Sequence, residues 1–179
     1  MKYISLLRGI NVSGQKKILM NDLKTLYEGL GFEDVSTYIQ SGNVIFNTTI
    51  RNRSALTNRI ENAIEKKYQF HVPSELRTNR EFADIIHECP YGSKGMAQEG
   101  TKILVSFLSA RPQKNKLDEI MTYAAADERL VLKDREIYLY CPNGYGRSKL
   151  SNAFLEKKLG VGATTRNWKS VIALYELSL

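Results

Sequence analysis

Basic side chains and glycines are concentrated near the end of the chain, and these residue types together suit the binding of an anion. Residues 141–169 contain six basic side chains and one acid, Glu156, and therefore carry a charge of +5. A positive segment of this kind often meets phosphate, although a solvated positive surface is the ordinary alternative. The whole chain has a net charge of +7, so most of the excess lies in this one segment.

The centre of the basic segment is formed by Gly144, Gly146, Arg147, Ser148 and Lys149. A strand is predicted to run into the glycine turn, and the turn into a helix that starts at Ser148. The first backbone N–H groups of a helix have no partner inside it and, with the helix dipole, they attract an anion. The side chains of Arg147 and Lys149 add positive charge at the same place. We therefore expect an anion site here; the alternative is that Ser148 only caps the helix.

Three further loops offer polar side chains beside glycines or helix starts, at residues 8–17, 40–43 and 164–167. The second loop also suits a plain hairpin turn, and the third suits a plain helix cap. Arg8, directly after a central strand, is harder to explain by folding alone. The candidate ligand-binding residues are therefore Arg8, Asn11, Gln40, Ser41, Asn43, Arg147, Ser148, Lys149, Thr165, Arg166 and Asn167.

The four basic residues Arg8, Arg147, Lys149 and Arg166 are expected to converge on one face of the molecule. Like charges that a fold brings together repel each other, so a close cluster is tolerated best when an anion is bound between them. The alternative is that each arginine forms its own ion pair and that the basic segment is only a solvated face.

Motifs for catalysis and for cofactors are missing from the sequence. The loop at Gly144 lacks the glycine spacing and the following Lys-Ser/Thr of a Walker A motif. His71 and His87 are the only histidines, and with two widely spaced cysteines they make no metal-binding pattern. The basic loop beside Cys141 would lower the pKa of its thiol, although an inert cysteine is the favoured interpretation. We therefore assign no catalytic residue, metal or cofactor, and leave open whether the protein is an enzyme.

Length and composition are those of an ordinary globular protein. The 179 residues, 42 % of them hydrophobic, suffice for one large domain or two small subdomains. Two cysteines without a pairing pattern indicate free thiols in a reducing compartment. The N-terminal apolar run is broken by Arg8, and no stretch is long enough for a membrane helix. We expect a cytoplasmic protein without membrane contact, and a monomer.

The hydrophobic periodicity predicts an α+β fold built from an internal duplication. Apolar spacing in residues 1–90 gives the order β-α-β-β-α-β of a ferredoxin-like unit, followed by a short helix. Residues 91–179 repeat the plan, but the last strand is not visible and Asn167 is expected to cap a final helix. We therefore predict two tandem ferredoxin-like subdomains, the second altered at its C-terminal end. The polar connector at residues 90–95 is the expected boundary.

Three stretches of the chain resemble the bacterial "domain of unknown function 1697" family. They are Tyr3-Ile4-Ser5-Leu6-Leu7-Arg8-Gly9-Ile10-Asn11-Val12, Tyr38-Ile39-Gln40-Ser41-Gly42-Asn43-Val44 and Thr164-Thr165-Arg166-Asn167-Trp168. The resemblance extends over essentially the whole chain and implies two ferredoxin-like subdomains. It implies no assigned activity, because the family has none. Where this chain has Ser13, other members often have glycine.

The function predicted from these observations is the binding of a phosphorylated ligand, either a nucleotide or a nucleic-acid strand, on a basic loop face. One alternative is an enzyme that acts on a small phosphorylated metabolite by positioning and charge stabilisation. Another is a regulatory module that binds a protein partner. A strand that contacts the protein through several phosphates would lose affinity steeply with salt, whereas a single metabolite would not.

Overall fold

The computed structural model describes residues 1–91, 100–113 and 115–179. The first half of the chain consists of β1 (Lys2–Leu7), α1 (Met20–Gly29), β2 (Glu33–Tyr38), β3 (Asn43–Asn47), α2 (Arg53–Tyr68), β4 (Ser74–Thr78) and α3 (Asn79–His87). The second half consists of β5 (Ile103–Leu108), α4 (Asn115–Met121), β6 (Arg129–Lys133), β7 (Glu136–Tyr140), a 3-10 helix (Tyr145–Arg147), α5 (Asn152–Leu159), β8 (Ala163–Asn167) and α6 (Trp168–Leu177).

The strands form two separate four-stranded sheets, and every pair of neighbouring strands is antiparallel. The strand order is β2-β3-β1-β4 in one sheet and β6-β7-β5-β8 in the other. Helices follow the strands in the same order in both halves. The predicted α+β class and the predicted duplication into two sheets are therefore confirmed.

The prediction that the second repeat is altered at its end was wrong. Residues Ala163–Asn167 form β8, which pairs with β5 just as β4 pairs with β1. The strand was missed because the buried residues among its five include Thr164 and Arg166, which give no apolar signal. Asn167 nevertheless has its predicted role as a cap, since its Oδ1 accepts the N–H of Ser170 at 2.9 Å at the start of α6.

The two halves match residue by residue along their central strands. Ile4 of β1 pairs with Arg77 of β4, and Val105 of β5 pairs with Arg166 of β8. Both arginines are buried, and each donates from Nη1 to the carbonyl oxygen of the residue before it, at 2.9 and 3.0 Å. The duplication therefore extends to the register of the outer strand and to a buried guanidinium.

Each sheet buries a serine at the middle of its central strand. The Ser5 hydroxyl lies 2.8 Å from the Tyr27 hydroxyl of α1 and 2.8 Å from the Ser74 hydroxyl of β4. In the other sheet, the hydroxyls of Ser106 and Thr165 lie 2.6 Å apart. Since a buried hydroxyl without a partner is costly, these pairs favour one register of each outer strand over its alternatives.

Apolar residues at helical spacing form the core of each half. In the first, Leu56, Ile60 and Ile64 of α2 are fully buried and pack with Leu23 of α1 against the sheet. Their spacing of four keeps them on one helix face. In the second, a smaller cluster joins residues of β5, β7, α4 and α5. None of the described helices combines the length and the apolar character that crossing a membrane requires.

The chain divides into two compact units. The first contains Met1–Phe82 together with Leu174–Leu179, and the second contains Ala83–Ala173. Within the first, Lys2 Nζ lies 3.3 Å from the carbonyl oxygen of Leu179. Within the second, the Tyr138 hydroxyl donates to the carbonyl oxygen of Ile85 at 3.0 Å. The connector at 90–95 lies mostly outside the described residues, so the subdomain bounds 1–90 and 91–179 remain predictions.

Gly42, in the turn between β2 and β3, provides a test of this packing. Its φ is +76°, and an added Cβ would lie 2.5 Å from Ile10 Cδ1 and 2.9 Å from Leu7 Cβ. We expect Gly42→Ala to cost about 2–5 kcal/mol, of which about 1–2 comes from the left-handed backbone and the rest from overpacking. Gly31→Ala is the matched control, because Gly31 has φ +77° and open space around it. Equal losses for both variants in urea unfolding would contradict the close contact.

Candidate functional site

A cleft in the second unit is lined by several of the polar side chains of the basic segment. Its volume is about 320 Å³, and it lies between the turn after α4 and the segment after β7. Three of the predicted ligand-binding residues border it. The lining residues are Thr122, Tyr123, Ala124, Ala125, Glu128, Arg147, Ser148 and Lys149.

The predicted helix start at Ser148 was wrong. Ser148 is extended (φ −73°, ψ 143°) and ends the 3-10 helix, whereas α5 begins at Asn152 with Ser151 as its cap. The Ser151 hydroxyl accepts the N–H of Phe154 at 3.3 Å. Both serines suit a helix start in sequence, but Leu150 between them is fully buried and takes the chain into the core before the helix begins. No helix dipole therefore acts at Ser148, and an anion there would depend on side-chain charge.

The basic residues of the cleft are held by a tightly bonded turn. Arg147 N–H donates to Gly144 O at 3.1 Å and Ser148 N–H donates to Tyr145 O at 3.1 Å. The Ser148 hydroxyl accepts the N–H of Leu150 at 3.0 Å. Arg147 and Lys149 stand on either side of Ser148, and both side chains are exposed. The turn thus presents two cations to the same cleft on an ordered backbone.

The acidic residue of the cleft, Glu128, was missed from the sequence. It is only 8 % exposed, and its carboxylate accepts the N–H of Ala125 at 2.9 Å. It also hydrogen-bonds the Cys141 side chain at the end of β7. No motif or apolar spacing marks Glu128 in the sequence, and only the turn that closes on its carboxylate identifies it. The cleft is therefore lined by one acidic side chain, Glu128, and by two basic side chains, Arg147 and Lys149.

Cys141 is an inert thiol, contrary to the suggestion that the basic loop lowers its pKa. Burial raises the pKa of the Cys141 thiol to about 11, and the negative charges of Glu128 and Asp127 add to the effect. The hydrogen bond from Ser148 opposes the shift but does not overcome it. The thiol is therefore protonated at neutral pH and is not a nucleophile.

Tyr123 gives the cleft an aromatic side. It is 39 % exposed, and its ring packs edge-on against Phe154, with the ring centroids 5.1 Å apart. Lys158 Nζ lies 4.5 Å from the Tyr123 ring centroid and 3.1 Å from its hydroxyl. The hydrogen bonds to Glu119 and Tyr123 raise the pKa of Lys158, so this lysine stays charged and holds the ring.

The other predicted residues of the second unit, Thr165, Arg166 and Asn167, are not among the residues that line the cleft. Thr165 donates to Asn152 Oδ1 at 2.6 Å and accepts from the Tyr145 hydroxyl at 3.3 Å. Arg166 is buried in β8, and its burial lowers the pKa of the guanidinium to about 10. Asn167 caps α6. These contacts are structural, and a role in ligand binding remains a prediction for all three.

The predicted residues of the first unit lie around β1 and the following loop. Arg8 directly follows β1, and its N–H donates to Pro73 O at 2.9 Å. Asn43 is buried at the start of β3, where its Nδ2 donates to Tyr38 O at 2.9 Å and to Ser41 Oγ at 3.0 Å. These hydrogen bonds from the side-chain amide of Asn43 close the hairpin, in agreement with the simple hairpin turn considered for residues 40–43.

Asn11 joins its own loop to that hairpin. Its side-chain Oδ1 accepts the N–H of Ile18 at 2.9 Å, and its Nδ2 donates to Ile18 O at 2.9 Å and to Gln40 O at 2.8 Å. Arg8 belongs to the first unit, while Arg147, Lys149 and Arg166 belong to the second. The convergence of these four basic residues therefore remains a prediction. Among the described residues, no three His, Cys, Asp or Glu side chains are grouped as a metal site requires.

Comparison with protein families matches residues 1–138 to the model described as "Protein of unknown function (DUF1697)". The chain belongs to this family. The matched part includes the loops at 8–17 and 40–43, but ends before the turn that carries Arg147 and Lys149. Of the three stretches that resemble the family, residues 3–12 and 38–44 therefore lie inside the matched part of the chain, and residues 164–168 lie outside it.

A solved structure shares the fold over the whole chain. It is that of a conserved bacterial protein from Streptococcus pneumoniae, with a TM-score of 0.78 at 21 % sequence identity, covering 99 % of this chain and 98 % of that chain. At this identity the similarity concerns the fold alone. Comparison with curated proteins finds no match.

The position of the helix cap is tested by paired alanine variants. Ser151→Ala removes the side chain that accepts the Phe154 N–H, and we expect it to cost about 1 kcal/mol of stability. Asn152→Ala, one residue on, keeps that cap but removes one hydrogen bond of the Thr165 hydroxyl, which retains Ser106 and Tyr145 as partners, and we expect a loss of about 0.5–1.5 kcal/mol. Urea unfolding at pH 7 measures both; no loss with Ser151→Ala would disprove the cap.

The raised pKa of Cys141 predicts a pH dependence of stability. Between about pH 9 and 11 the unfolded chain loses the thiol proton while the folded chain keeps it, so the native state becomes less stable as pH rises. Cys141→Ala lacks this loss. We therefore expect the stability of the wild-type protein, relative to the variant, to fall from pH 8 to pH 10.5. A constant difference in urea unfolding over this range would show that the thiol is not shifted.

Proposed function

We propose that the protein binds a phosphorylated small molecule in the cleft of the second unit, with Arg147 and Lys149 holding the phosphate. The observation that carries the proposal is that these two exposed cations line one cleft of about 320 Å³ on a hydrogen-bonded turn. Arginine binds phosphate through two parallel N–H bonds, and lysine adds a compact charge, so the pair suits a phosphate monoester.

Among phosphorylated ligands, a mononucleotide suits the other lining residues best. The exposed ring of Tyr123 offers a surface on which a base can stack. The Glu128 carboxylate also lines the cleft, where its hydrogen bonds to the Ala125 N–H and to Cys141 keep the lining in place. The volume lies at the small end of ligand pockets and favours a single nucleotide over a strand.

The alternative of an enzyme on a phosphorylated metabolite gains less support. Cys141 is protonated, and Glu128 is committed to Ala125 and Cys141, so both side chains stabilise the turn. The candidates of the first unit, Arg8, Asn11, Gln40, Ser41 and Asn43, rank behind the cleft because the hydrogen bonds of Asn11 and Asn43 hold the loop and the hairpin together. We still expect a monomer in the cytoplasm; free thiols at Cys89 and Cys141 suit a reducing compartment.

We further infer that each half has a ferredoxin-like fold. The order β-α-β-β-α-β and the strand order β2-β3-β1-β4, repeated as β6-β7-β5-β8, support this assignment. In such a frame the loops at the strand ends are free to vary, and the basic turn after β7 is one of them.

Binding of adenosine monophosphate tests the proposal. By isothermal titration at 50 mM salt, we expect the wild-type protein to bind, and Arg147→Ala and Lys149→Ala each to weaken binding roughly 10- to 150-fold, as the loss of a charged hydrogen bond of about 1.5–3 kcal/mol implies. Lys157→Ala is the control, because it removes an exposed charge from the same basic segment outside the cleft.

The salt dependence separates a small ligand from a nucleic-acid strand. A mononucleotide should lose affinity weakly with salt, whereas a strand that contacts several phosphates should lose it steeply. The proposal fails if neither adenosine monophosphate nor pyrophosphate binds. It also fails if Lys157→Ala weakens binding as much as Arg147→Ala, because the segment is then only a general positive surface.

A further inference from the structure

The loop between β1 and α1 is tightly folded, although it lies on the surface. Asn11 N–H donates to Lys16 O at 3.2 Å, and Gln15 N–H donates to Val12 O at 2.9 Å, so the chain reverses on itself. Asn11, Ser13 and Lys16 all have left-handed backbone conformations, with φ of 54°, 50° and 45°. Three such residues in one short loop are unusual and indicate a defined shape that the fold maintains.

The Asn11 side chain closes this loop through its bonds to Ile18 and joins it to the β2–β3 turn through its bond to Gln40. These hydrogen bonds join Asn11, Ile18 and Gln40, and each of the three has a large apolar residue next to it in the sequence. These neighbours are Val12, 60 % exposed, Leu19, 69 % exposed, and Ile39, 49 % exposed. Since adjacent Cα atoms are about 3.8 Å apart, the three backbone positions lie on the order of 10 Å from one another.

Ile39 has a conformation that its own residue type disfavours. Its φ is +49°, in the left-handed region, where β-branched residues are outliers and where glycine or asparagine is usual in a turn. Burial of Ile39 does not offset the cost of this backbone conformation, because the residue is 49 % exposed. The hydrogen bonds that Tyr38 O and Gln40 O accept from Asn43 and Asn11 hold the backbone on both sides of Ile39, so its exposed apolar side chain is presented in a fixed position.

The loop that carries Val12 and Leu19 is itself positively charged. Residues 8–19 contain Arg8, Lys16 and Lys17 and no acid. Lys16 and Lys17 are exposed, and Lys16 Nζ donates to His71 O at 2.8 Å, which holds its charge near the loop. Exposed apolar residues beside positively charged side chains are complementary to a segment with aliphatic and acidic side chains.

We propose that Val12, Leu19 and Ile39 form a docking surface for an acidic, aliphatic peptide segment of a partner protein. The preorganised loop lowers the entropy lost on binding, because its backbone is already fixed by Asn11. The aliphatic side chains of the peptide pack on the three apolar residues, and its carboxylates face Lys16 and Lys17. This surface belongs to the first unit and is independent of the nucleotide proposal.

A random 12-residue peptide library displayed on phage, selected on the immobilised full chain, tests the docking surface. We expect the enriched peptides to combine Leu, Ile or Val with Asp or Glu. A labelled enriched peptide should bind at least tenfold more weakly to Leu19→Ser and to Val12→Ser, by fluorescence anisotropy. Leu179→Ser is the control, because Leu179 is an exposed apolar residue of the same unit, at 76 %, outside the loop.

Ile39→Asn separates recognition from folding. Asparagine tolerates the left-handed conformation, so the variant should be at least as stable as the wild-type protein in urea unfolding while it binds the peptide at least tenfold more weakly. The proposal is overturned if no acidic, aliphatic peptides are enriched, or if Ile39→Asn and Leu19→Ser bind as the wild-type protein does. It is also overturned if Leu19→Ser abolishes self-association or binding to phosphatidylserine vesicles while peptide binding is unchanged.

Discussion

A buried hydroxyl at the centre of each central strand is the contact on which both halves of this protein depend. In the first half, Ser5 links β1 to β4 and, through Tyr27, to α1. In the second, Thr165 beside Ser106 donates to the first residue of α5 and accepts from Tyr145 in the 3-10 helix. Because buried hydroxyls require partners, the turn that presents Arg147 is tied to the centre of its sheet.

The duplication preserved this frame and varied the connections. In the first half the long connection is the one from β1 to α1, residues 8–19, whereas the corresponding link from β5 to α4 covers only 109–114. In the second half the long connection is the one from β7 to α5, residues 141–151, against 48–52 in the first. Val12 and Leu19 of the proposed peptide surface and Arg147 and Lys149 of the proposed nucleotide cleft lie on these two long connections, so each repeat has a distinctive loop of its own.

The sequence allows the helices, the hairpins and the two sheets to be predicted, because the apolar residues that build them recur at regular spacing. It does not reveal β8, where the buried residues include Thr164 and Arg166, because a polar residue gives no burial signal of its own. The density of positive charge in the sequence indicates Arg147 and Lys149 as candidate ligand-binding residues. The start of α5 at Asn152 could not be predicted in the same way, because it depends on the burial of Leu150. Glu128 is brought into the cleft by a turn that only the folded chain forms.

The first compact unit is built from two segments that are far apart in the sequence, and this delays its folding during synthesis. Residues Leu174–Leu179 belong to the same compact unit as Met1–Phe82. During translation, that unit cannot be completed when residue 82 leaves the ribosome, because its last segment has not yet been made. At the usual elongation rate of about 5–20 residues per second, the nascent unit waits roughly 5–20 s for its final residues. Over this interval the nascent unit lacks Leu174, a residue that is fully buried in the finished protein.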